Sequence, residues 1–204
     1  MTDLYLVRHG ETDWNRQRRI QGRTDIPLND TGREQARLAA SVLSSLPVAR
    51  VYSSPLVRAR ETAEIISALL GTEPSSALAD LTERDYGAAE GLTSAEVDAR
   101  FPEGSSVPRQ EDRSHATARF LAAVAGLAKL YPHDSLVVVS HGGVLRGAFE
   151  AVGHRVGRIT NGSIHTLRAT GGDFRVVAHA DPAAVIVEGP ESGRIQVQNV
   201  LEAG

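Results

Sequence analysis

Two histidines stand in the same local setting, each directly after a short apolar run and directly before a glycine. His9 follows Leu4–Val7 and Arg8, and His141 follows Leu136–Ser140. Short apolar runs that end at a turn residue are typical of buried strands, so both imidazoles are predicted to lie at strand ends. A neutral imidazole can act as a nucleophile or base, and a protonated one donates hydrogen bonds to anions. The pattern therefore predicts two histidines that act on one ligand.

The elements around these histidines alternate between strand and helix. This alternation predicts an α/β fold, a three-layer α/β/α sandwich with a mostly parallel central sheet. In such sheets ligands bind beyond the carboxyl ends of the strands, which is where both histidines would lie. The predicted strands are Leu4–Val7, Val48–Ser53, Leu136–Ser140 and a hairpin of Ile164–Ala169 with Phe174–Ala180, together with a strand-like segment over Leu78–Arg84. The predicted helices begin at Asp30, Ser54, Leu92, Ala116 and Val144, and a long loop covers Thr12–Asp30.

Composition excludes several classes of protein. The chain has 204 residues and no cysteine, which excludes disulfide frameworks, thiolate metal sites and a cysteine nucleophile. We expect a single domain over residues 1–204, with a loosely packed tail from about 183 to 204. The formal net charge is -3, so no general nucleic-acid surface is expected. Lys129 is the only lysine, so fixed positive sites must be built from arginines.

The sequence contains no apolar stretch that predicts a leader or a membrane span. The first apolar run, Leu4–Val7, is four residues long and is followed by Arg8. We therefore expect a cytoplasmic protein with no membrane partner. A homodimer stays open, because nothing in the sequence reports the oligomeric state.

Four segments in order along the chain resemble the motifs of one family. They are Arg8–Thr12 with Asn15 shortly after, Ser53–Ala59, Leu81–Gly87 and Val138–Gly143. Together they resemble the histidine phosphatase superfamily, which includes phosphoglycerate mutase-like enzymes and related phosphomonoesterases. A single Arg-His-Gly tripeptide would be weak support, whereas four ordered motifs are strong support. The resemblance implies a phosphoglycerate mutase-like fold and a phosphatase that uses no metal or other cofactor on a small phosphorylated metabolite.

The resemblance also implies a role for each catalytic residue. His9 would attack phosphorus to form a phosphohistidine, and Glu83 would serve as general acid and then general base. Arg8 and Arg58 would hold the phosphate oxygens through charge-assisted hydrogen bonds. His141 would stabilise the equatorial oxygens as a doubly protonated donor.

Further residues are predicted to bind the phosphate. Gly10 and Gly142 would let the main chain approach it without a Cβ in the way. Asn15, Gln21 and Gly22 match loop positions of the family that help to hold phosphate. Nearby arginines and burial should both lower the pKa of His9, which keeps the nucleophile neutral.

Several alternatives remain open at this stage. The short chain favours a phosphatase over a cofactor-dependent mutase, in which a second substrate hydroxyl rather than water takes the phosphoryl group. A non-catalytic phosphate-binding module is a third possibility, although His9, Glu83 and His141 are all present. Arg18, Arg19 and Arg23 would be either a solvated face or a site for an anionic substrate tail. Sugar phosphates, phosphoglycerate derivatives, a cobalamin-precursor phosphate and nucleotides all remain candidate substrates.

Overall fold

The computed structural model describes residues 1–170 and 172–182. Within them, six strands and six α-helices alternate along the chain. The strands are β1 (Thr2–Arg8), β2 (Val48–Ser53), β3 (Ser76–Ala77), β4 (Ser135–Ser140), β5 (Ile164–Thr170) and β6 (Asp173–Ala180). The helices are α1 (Asp13–Arg16), α2 (Asp30–Leu43), α3 (Val57–Leu70), α4 (Ser94–Arg100), α5 (Arg113–Leu130) and α6 (Gly142–Ala151).

The strands form one sheet in the order β3-β2-β4-β1-β5-β6. The first four strands of this order pair in parallel, and β5 and β6 add an antiparallel hairpin at one edge. The predicted α/β fold with a mostly parallel sheet is confirmed. Strand β4 lies between β2 and β1, and its residues 136–140 are all buried. This central position explains why its sequence is a continuous apolar run rather than an alternating one.

Helices cover both faces of the sheet. Helices α5 and α6 pack on one face around Phe120 and Phe149, and α2 and α3 pack on the other around Leu43 and Ile66. Each helix turns an apolar stripe to the sheet, as amphipathic helices of this fold class do. Helix α3 ends at Gly71, whose left-handed φ of 65° closes the helix without steric cost.

Two segments differ from the sequence-based expectations. The predicted strand over residues 78–84 is wrong, because it holds a 3-10 turn at Ala79–Leu81 and then a loop. The predicted loop after Thr12 contains the one-turn helix α1, which Thr12 and Asn15 stabilise through a reciprocal capping box. The predicted loosely packed tail, about 183–204, lies outside the described residues. In the part of the chain that is described, no helix combines the length and apolarity needed to cross a bilayer.

A glycine contact fixes helix α2 against the end of β1. A Cβ on Gly10 would overlap the main chain of Gly32, and a Cβ on Gly32 would overlap the main chain of Glu11. The side chain of Asn29 caps the same helix end by accepting from the N–H of Gly32 at 2.9 Å. Because two backbones touch here, Gly10 is required for packing rather than for an approach to phosphate.

We predict that Gly32→Ala destabilises the fold by about 1–3 kcal/mol or more, because the added methyl forces two backbones apart. Denaturant unfolding followed by circular dichroism measures this loss. Gly126→Ala is the matched control, since it lies exposed in α5 with nothing within 4 Å of the new Cβ. There alanine should stabilise the protein by about 0.5–1 kcal/mol through helix propensity. Equal effects of the two changes would contradict the close contact.

Candidate active site

The register of two parallel strands brings the two histidines together. In the β1–β4 pair Arg8 lies opposite Ser140, so the next residue of each strand is a histidine at the same level. The N–H of His9 donates to the carbonyl of Ser140 at 3.0 Å. The ring centroids of His9 and His141 are 5.1 Å apart, with the ring planes inclined at 57°. Both imidazoles therefore lie at the carboxyl edge of the sheet, as the sequence predicted.

One ring nitrogen of His9 is committed to the main chain. Its Nδ1 lies 2.7 Å from the carbonyl oxygen of Gly10, which can only accept, so Nδ1 carries the proton and donates it. Nε2 is then the nitrogen with the free lone pair. Burial, followed by the charges of Arg58 and Arg8, holds the pKa of His9 well below its usual value. The imidazole is accordingly neutral near pH 7, as a nucleophile must be.

His141 is fully buried, and neither of its ring nitrogens has a hydrogen-bond partner within the described residues. Burial, and then the nearby charge of Arg58, holds the pKa of His141 well below its usual value as well. In this state the ring is neutral, which differs from the expected doubly protonated donor. The reason is that a buried imidazolium beside cations is costly unless an anion lies next to it.

Two arginines lie beside the histidines, and among the described residues their guanidiniums donate only to neutral main-chain carbonyls. Arg8 donates from Nη1 to the carbonyl of Ile159 at 2.6 Å. Arg58 is 1% exposed and donates to the carbonyls of Gly22 and Thr24 at 2.7 and 2.9 Å. Burial lowers the pKa of each guanidinium to about 10, so both keep their charge at neutral pH. The Nε of each has no partner among the described residues.

Glu83 is attached to the first turn of helix α6. Its carboxylate accepts from the N–H groups of Gly143 at 2.9 Å, Val144 at 3.0 Å and Arg84 at 2.8 Å. A Cβ on Gly143 would lie within 3 Å of this carboxylate and of the Tyr86 hydroxyl. These contacts fix the orientation of a carboxyl group that is 8% exposed and lines the cleft.

The segment that carries Glu83 is clamped from outside the cleft by Arg119 and Glu111. The guanidinium of Arg119 donates to the carbonyls of Thr82 and Glu83 at 2.6 and 3.0 Å. It also forms two hydrogen bonds to Glu111, at 2.9 and 3.0 Å. Burial alone would raise the pKa of Glu111, but the bonds from Arg119 and from the N–H of Asp85 outweigh it and lower the pKa to about 2.

The first loop supplies two side-chain amides whose oxygens are held by hydrogen bonds from neighbouring residues. Oδ1 of Asn15 lies 3.2 Å from the N–H of Thr12 and 3.1 Å from Nδ2 of Asn161, so its amide nitrogen is the group available to a ligand. Oε1 of Gln21 accepts from the hydroxyl of Thr12 at 2.9 Å. Gly22 has φ of 51°, and a Cβ there would overlap the Glu90 carboxylate. Glu90 in turn accepts from the N–H groups of residues 23 and 24 at 2.9 Å.

These groups surround an open cleft of about 420 Å³. Gly10 and His141 do not line the cleft: Gly10 packs on α2, and His141 lies buried against His9. Gly142 does line it, and a Cβ there would lie 3.3 Å from Nε of Arg8. The other predicted site residues that line the cleft are Arg8, His9, Asn15, Gln21, Gly22, Arg58 and Glu83.

Tyr86, Arg146 and Arg158 also line the cleft, and none of them was assigned a role from the sequence. Burial, and then the charge of Glu83, raises the pKa of Tyr86 to about 12, so its hydroxyl stays protonated and can donate. Arg146 and Arg158 lie on α6 and on the segment before β5. Only Tyr86 had a signal in the sequence, since it lies in the third motif. Among residues 1–170 and 172–182, no group of three His, Asp or Glu side chains is arranged to hold a metal ion.

Comparisons with known proteins agree with this geometry. Residues 4–182 match the model of the histidine phosphatase superfamily, branch 1. The chain is 41% identical over 145 residues to an uncharacterized phosphatase, PhoE, of Bacillus subtilis, covering 71% of this chain and 74% of the relative. It is 35% identical over 192 residues to phosphoglycerate mutase-like protein 4 of Arabidopsis thaliana, covering 84% and 81%.

A solved structure shows the same fold at lower sequence identity. The structure of a mycobacterial glucosyl-3-phosphoglycerate phosphatase superposes with a TM-score of 0.77 at 28% identity, covering 85% of this chain and 96% of the other. With the motifs, the sheet order and the paired histidines, these matches establish that the chain belongs to the histidine phosphatase superfamily.

Proposed function

We propose that the protein is a metal-independent phosphomonoesterase that hydrolyses a small phosphorylated metabolite through a phosphohistidine on His9. The observation that carries this proposal is a set of buried polar atoms that have no partner among the described residues, and they belong to Arg8, Arg58 and His141. Buried groups of this kind are costly unless a ligand binds them. A phosphate monoester, with close to two negative charges and several acceptor oxygens, matches the two guanidiniums that line the cleft and brings negative charge close to His141, which packs against His9.

In the first step Nε2 of His9 attacks phosphorus, and the bond between phosphorus and the ester oxygen breaks. The departing alkoxide takes a proton from Glu83, which is left as a carboxylate. Positive charge develops on the imidazole as the new P–N bond forms. The hydrogen bond from Nδ1 to the Gly10 carbonyl stabilises that charge.

In the second step water attacks the phosphohistidine. Glu83 removes a proton from this water, the P–N bond breaks, and phosphate leaves with His9 regenerated. Glu83 is then protonated again, so the cycle closes. Arg8 and Arg58 hold the phosphoryl oxygens in both steps, where fixed charges in a dry site stabilise the transition state strongly.

A phosphoglycerate mutase-type transfer is the second candidate, because one relative is named a phosphoglycerate mutase-like protein. The two activities share the phosphohistidine and differ in the acceptor of the phosphoryl group. Incubation with 3-phosphoglycerate and bisphosphoglycerate distinguishes them, since a mutase yields 2-phosphoglycerate and a phosphatase releases inorganic phosphate. We expect phosphate release to dominate, and accumulation of 2-phosphoglycerate without it would overturn the phosphatase proposal.

His9→Ala should abolish phosphate release from p-nitrophenyl phosphate while leaving the fold intact, because the nucleophile is lost. Phosphate release and circular dichroism measure the two effects. His133→Ala is the control, since His133 is exposed in the loop before β4 and does not line the cleft. Unchanged turnover in His9→Ala would refute the nucleophile assignment, and a wild-type protein that binds phosphate without turnover would favour a binding module.

Glu83→Gln should lower turnover much less for p-nitrophenyl phosphate than for an alkyl phosphate, because only the poor leaving group needs a proton. For the alkyl ester the expected loss is about 10²–10⁴-fold. The ratio of kcat values for the two substrates is the measurement, with thermal unfolding as the check on folding. An equal loss for both substrates would contradict the role as general acid.

The lowered pKa values predict a protonation change when phosphate binds. At about pH 7 both His9 and His141 should be neutral in the free protein, because their pKa values lie below the ordinary 6.5. A bound dianion favours the charged form, so phosphate or vanadate should raise the pKa of His141 and protonate it. Nitrogen chemical shifts of labelled histidines, assigned with His9→Ala and His141→Ala, report both states. A doubly protonated His141 in the free protein at neutral pH would contradict the burial effect.

A further inference from the structure

The cleft carries far more positive charge than one phosphate needs. Among residues 1–170 and 172–182, Glu83 is the only acidic residue that lines it, whereas six arginines do. The whole chain has a formal charge of -3, so this surplus is local. The arginines that line the cleft are Arg8, Arg18, Arg19, Arg58, Arg146 and Arg158.

These arginines divide into an inner pair, one tethered residue and a free group. The inner pair beside the histidines is Arg58, which is buried, and Arg8, which is half-buried with its Nε enclosed. Arg19 is tethered, because its Nη1 donates to the carbonyl of Gly91 at 2.6 Å and lies 3.4 Å from the Glu96 carboxylate. Arg18, Arg146 and Arg158 form the free group: each is exposed, and its side chain forms no hydrogen bond or ion pair with any described residue.

Two of the free arginines, Arg158 and Arg146, lie on segments that also contribute to the inner site. Arg158 directly precedes Ile159, whose carbonyl accepts the hydrogen bond from Arg8. Arg146 lies four residues after Gly142 on α6, hence on the same face of that helix. The charges of Arg158 and Arg146 contribute to the lowered pKa of Arg8, after burial, which shows that both lie within electrostatic reach of the phosphate-binding arginine.

Arg18 lines the same cleft from a different part of the chain, just after α1. Its φ is 58°, a left-handed conformation that is uncommon for a residue with a side chain. The N–H of Arg18 donates to the carbonyl of Asn15 at 3.0 Å, which closes this turn beside a residue that lines the cleft. The strained backbone holds a guanidinium at the mouth of the cleft, where functional strain is commonly found.

We propose that Arg146 and Arg158, with Arg18 from the first loop, form a subsite for a second anionic group of the substrate. This inference rests on the proposed phosphatase function and names its substrate class: phosphomonoesters that carry a carboxylate or a second phosphate. Guanidinium groups suit either group, because they donate paired hydrogen bonds to both. Neutral sugar phosphates would leave these three charges without a partner.

The test compares two substrates that differ only at the proposed contact. In 3-phosphoglycerate a carboxylate stands where glycerol 3-phosphate has a hydroxymethyl group. The wild-type protein should have a kcat/KM at least about tenfold higher for 3-phosphoglycerate, mainly through a lower KM, as expected for one charge-assisted hydrogen bond. Fructose 1,6-bisphosphate against fructose 6-phosphate tests a second phosphate in the same way and distinguishes the two anionic groups.

Arg146→Gln and Arg158→Gln should each reduce this preference about tenfold, whereas Arg155→Gln should leave it unchanged. Arg155 is the matched control, because it is exposed on the same segment, loses the same charge and does not line the cleft. The preference should also weaken at high ionic strength, because exposed charges are screened. No preference in the wild-type protein, or an equal loss for both substrates in the variants, would overturn the subsite.

A binding measurement separates this inference from the proposed function. Calorimetry with His9→Ala compares the affinities for 3-phosphoglycerate and glycerol 3-phosphate without turnover. If p-nitrophenyl phosphate is not hydrolysed by the wild-type protein, the proposed function fails, but tighter binding of the carboxylated ligand still supports the subsite. If p-nitrophenyl phosphate is hydrolysed and the two ligands bind equally, the subsite alone is refuted.

Discussion

The parallel pairing of β1 with β4 is the constraint on which the site depends. This register places two imidazoles side by side at the carboxyl edge of the sheet, within the reach of two guanidiniums. Burial at this edge makes any charged side chain unfavourable. The neighbouring arginines make a protonated histidine still less favourable. The histidines respond by staying neutral, while the arginines keep their charge because their pKa is lowered only to about 10.

The partners of the two inner arginines explain how the site stays positive. Arg8 and Arg58 are held by main-chain carbonyls of Ile159, Gly22 and Thr24, which fix their positions without neutralising them. A carboxylate in direct contact would have offset the cost of burial, but it would also have competed with the substrate. The fold accepts an unfavourable concentration of positive charge, and a bound anion relieves it.

The acidic groups of the surrounding loops, by contrast, hold the main chain of these loops in place. Glu90 caps main-chain N–H groups of the first loop, and Glu111 pairs with the arginine that clamps the Glu83 segment.

The sequence predicted the parts of the molecule that local patterns determine. The apolar run of β4, the helix stop at Gly71 and the hairpin of β5 with β6 each follow from residue type and spacing. The 3-10 turn at Ala79–Leu81 was missed because Leu81 is apolar for burial beneath α5, not for strand alternation. Arg146 and Arg158 were missed for another reason. Nothing local distinguishes them from surface arginines, and only the packing of α6 and of the segment before β5 brings them to the cleft.

Some motif residues are explained by packing and others only by ligand binding. A motif match alone does not distinguish the two. Gly10 and Gly22 belong to segments that resemble phosphate-binding motifs, yet their lack of a Cβ is explained by Gly32 and Glu90, which would overlap one. Glycine would be required at both positions even if no ligand ever bound. The same is not true of His141, whose buried ring nitrogens have no partner within the described residues, because packing alone would favour an apolar side chain there. Unsatisfied buried polar atoms are therefore the better guide to chemistry in this fold, since half of those in the described residues belong to Arg8, Arg58 and His141, beside the ends of β1 and β4.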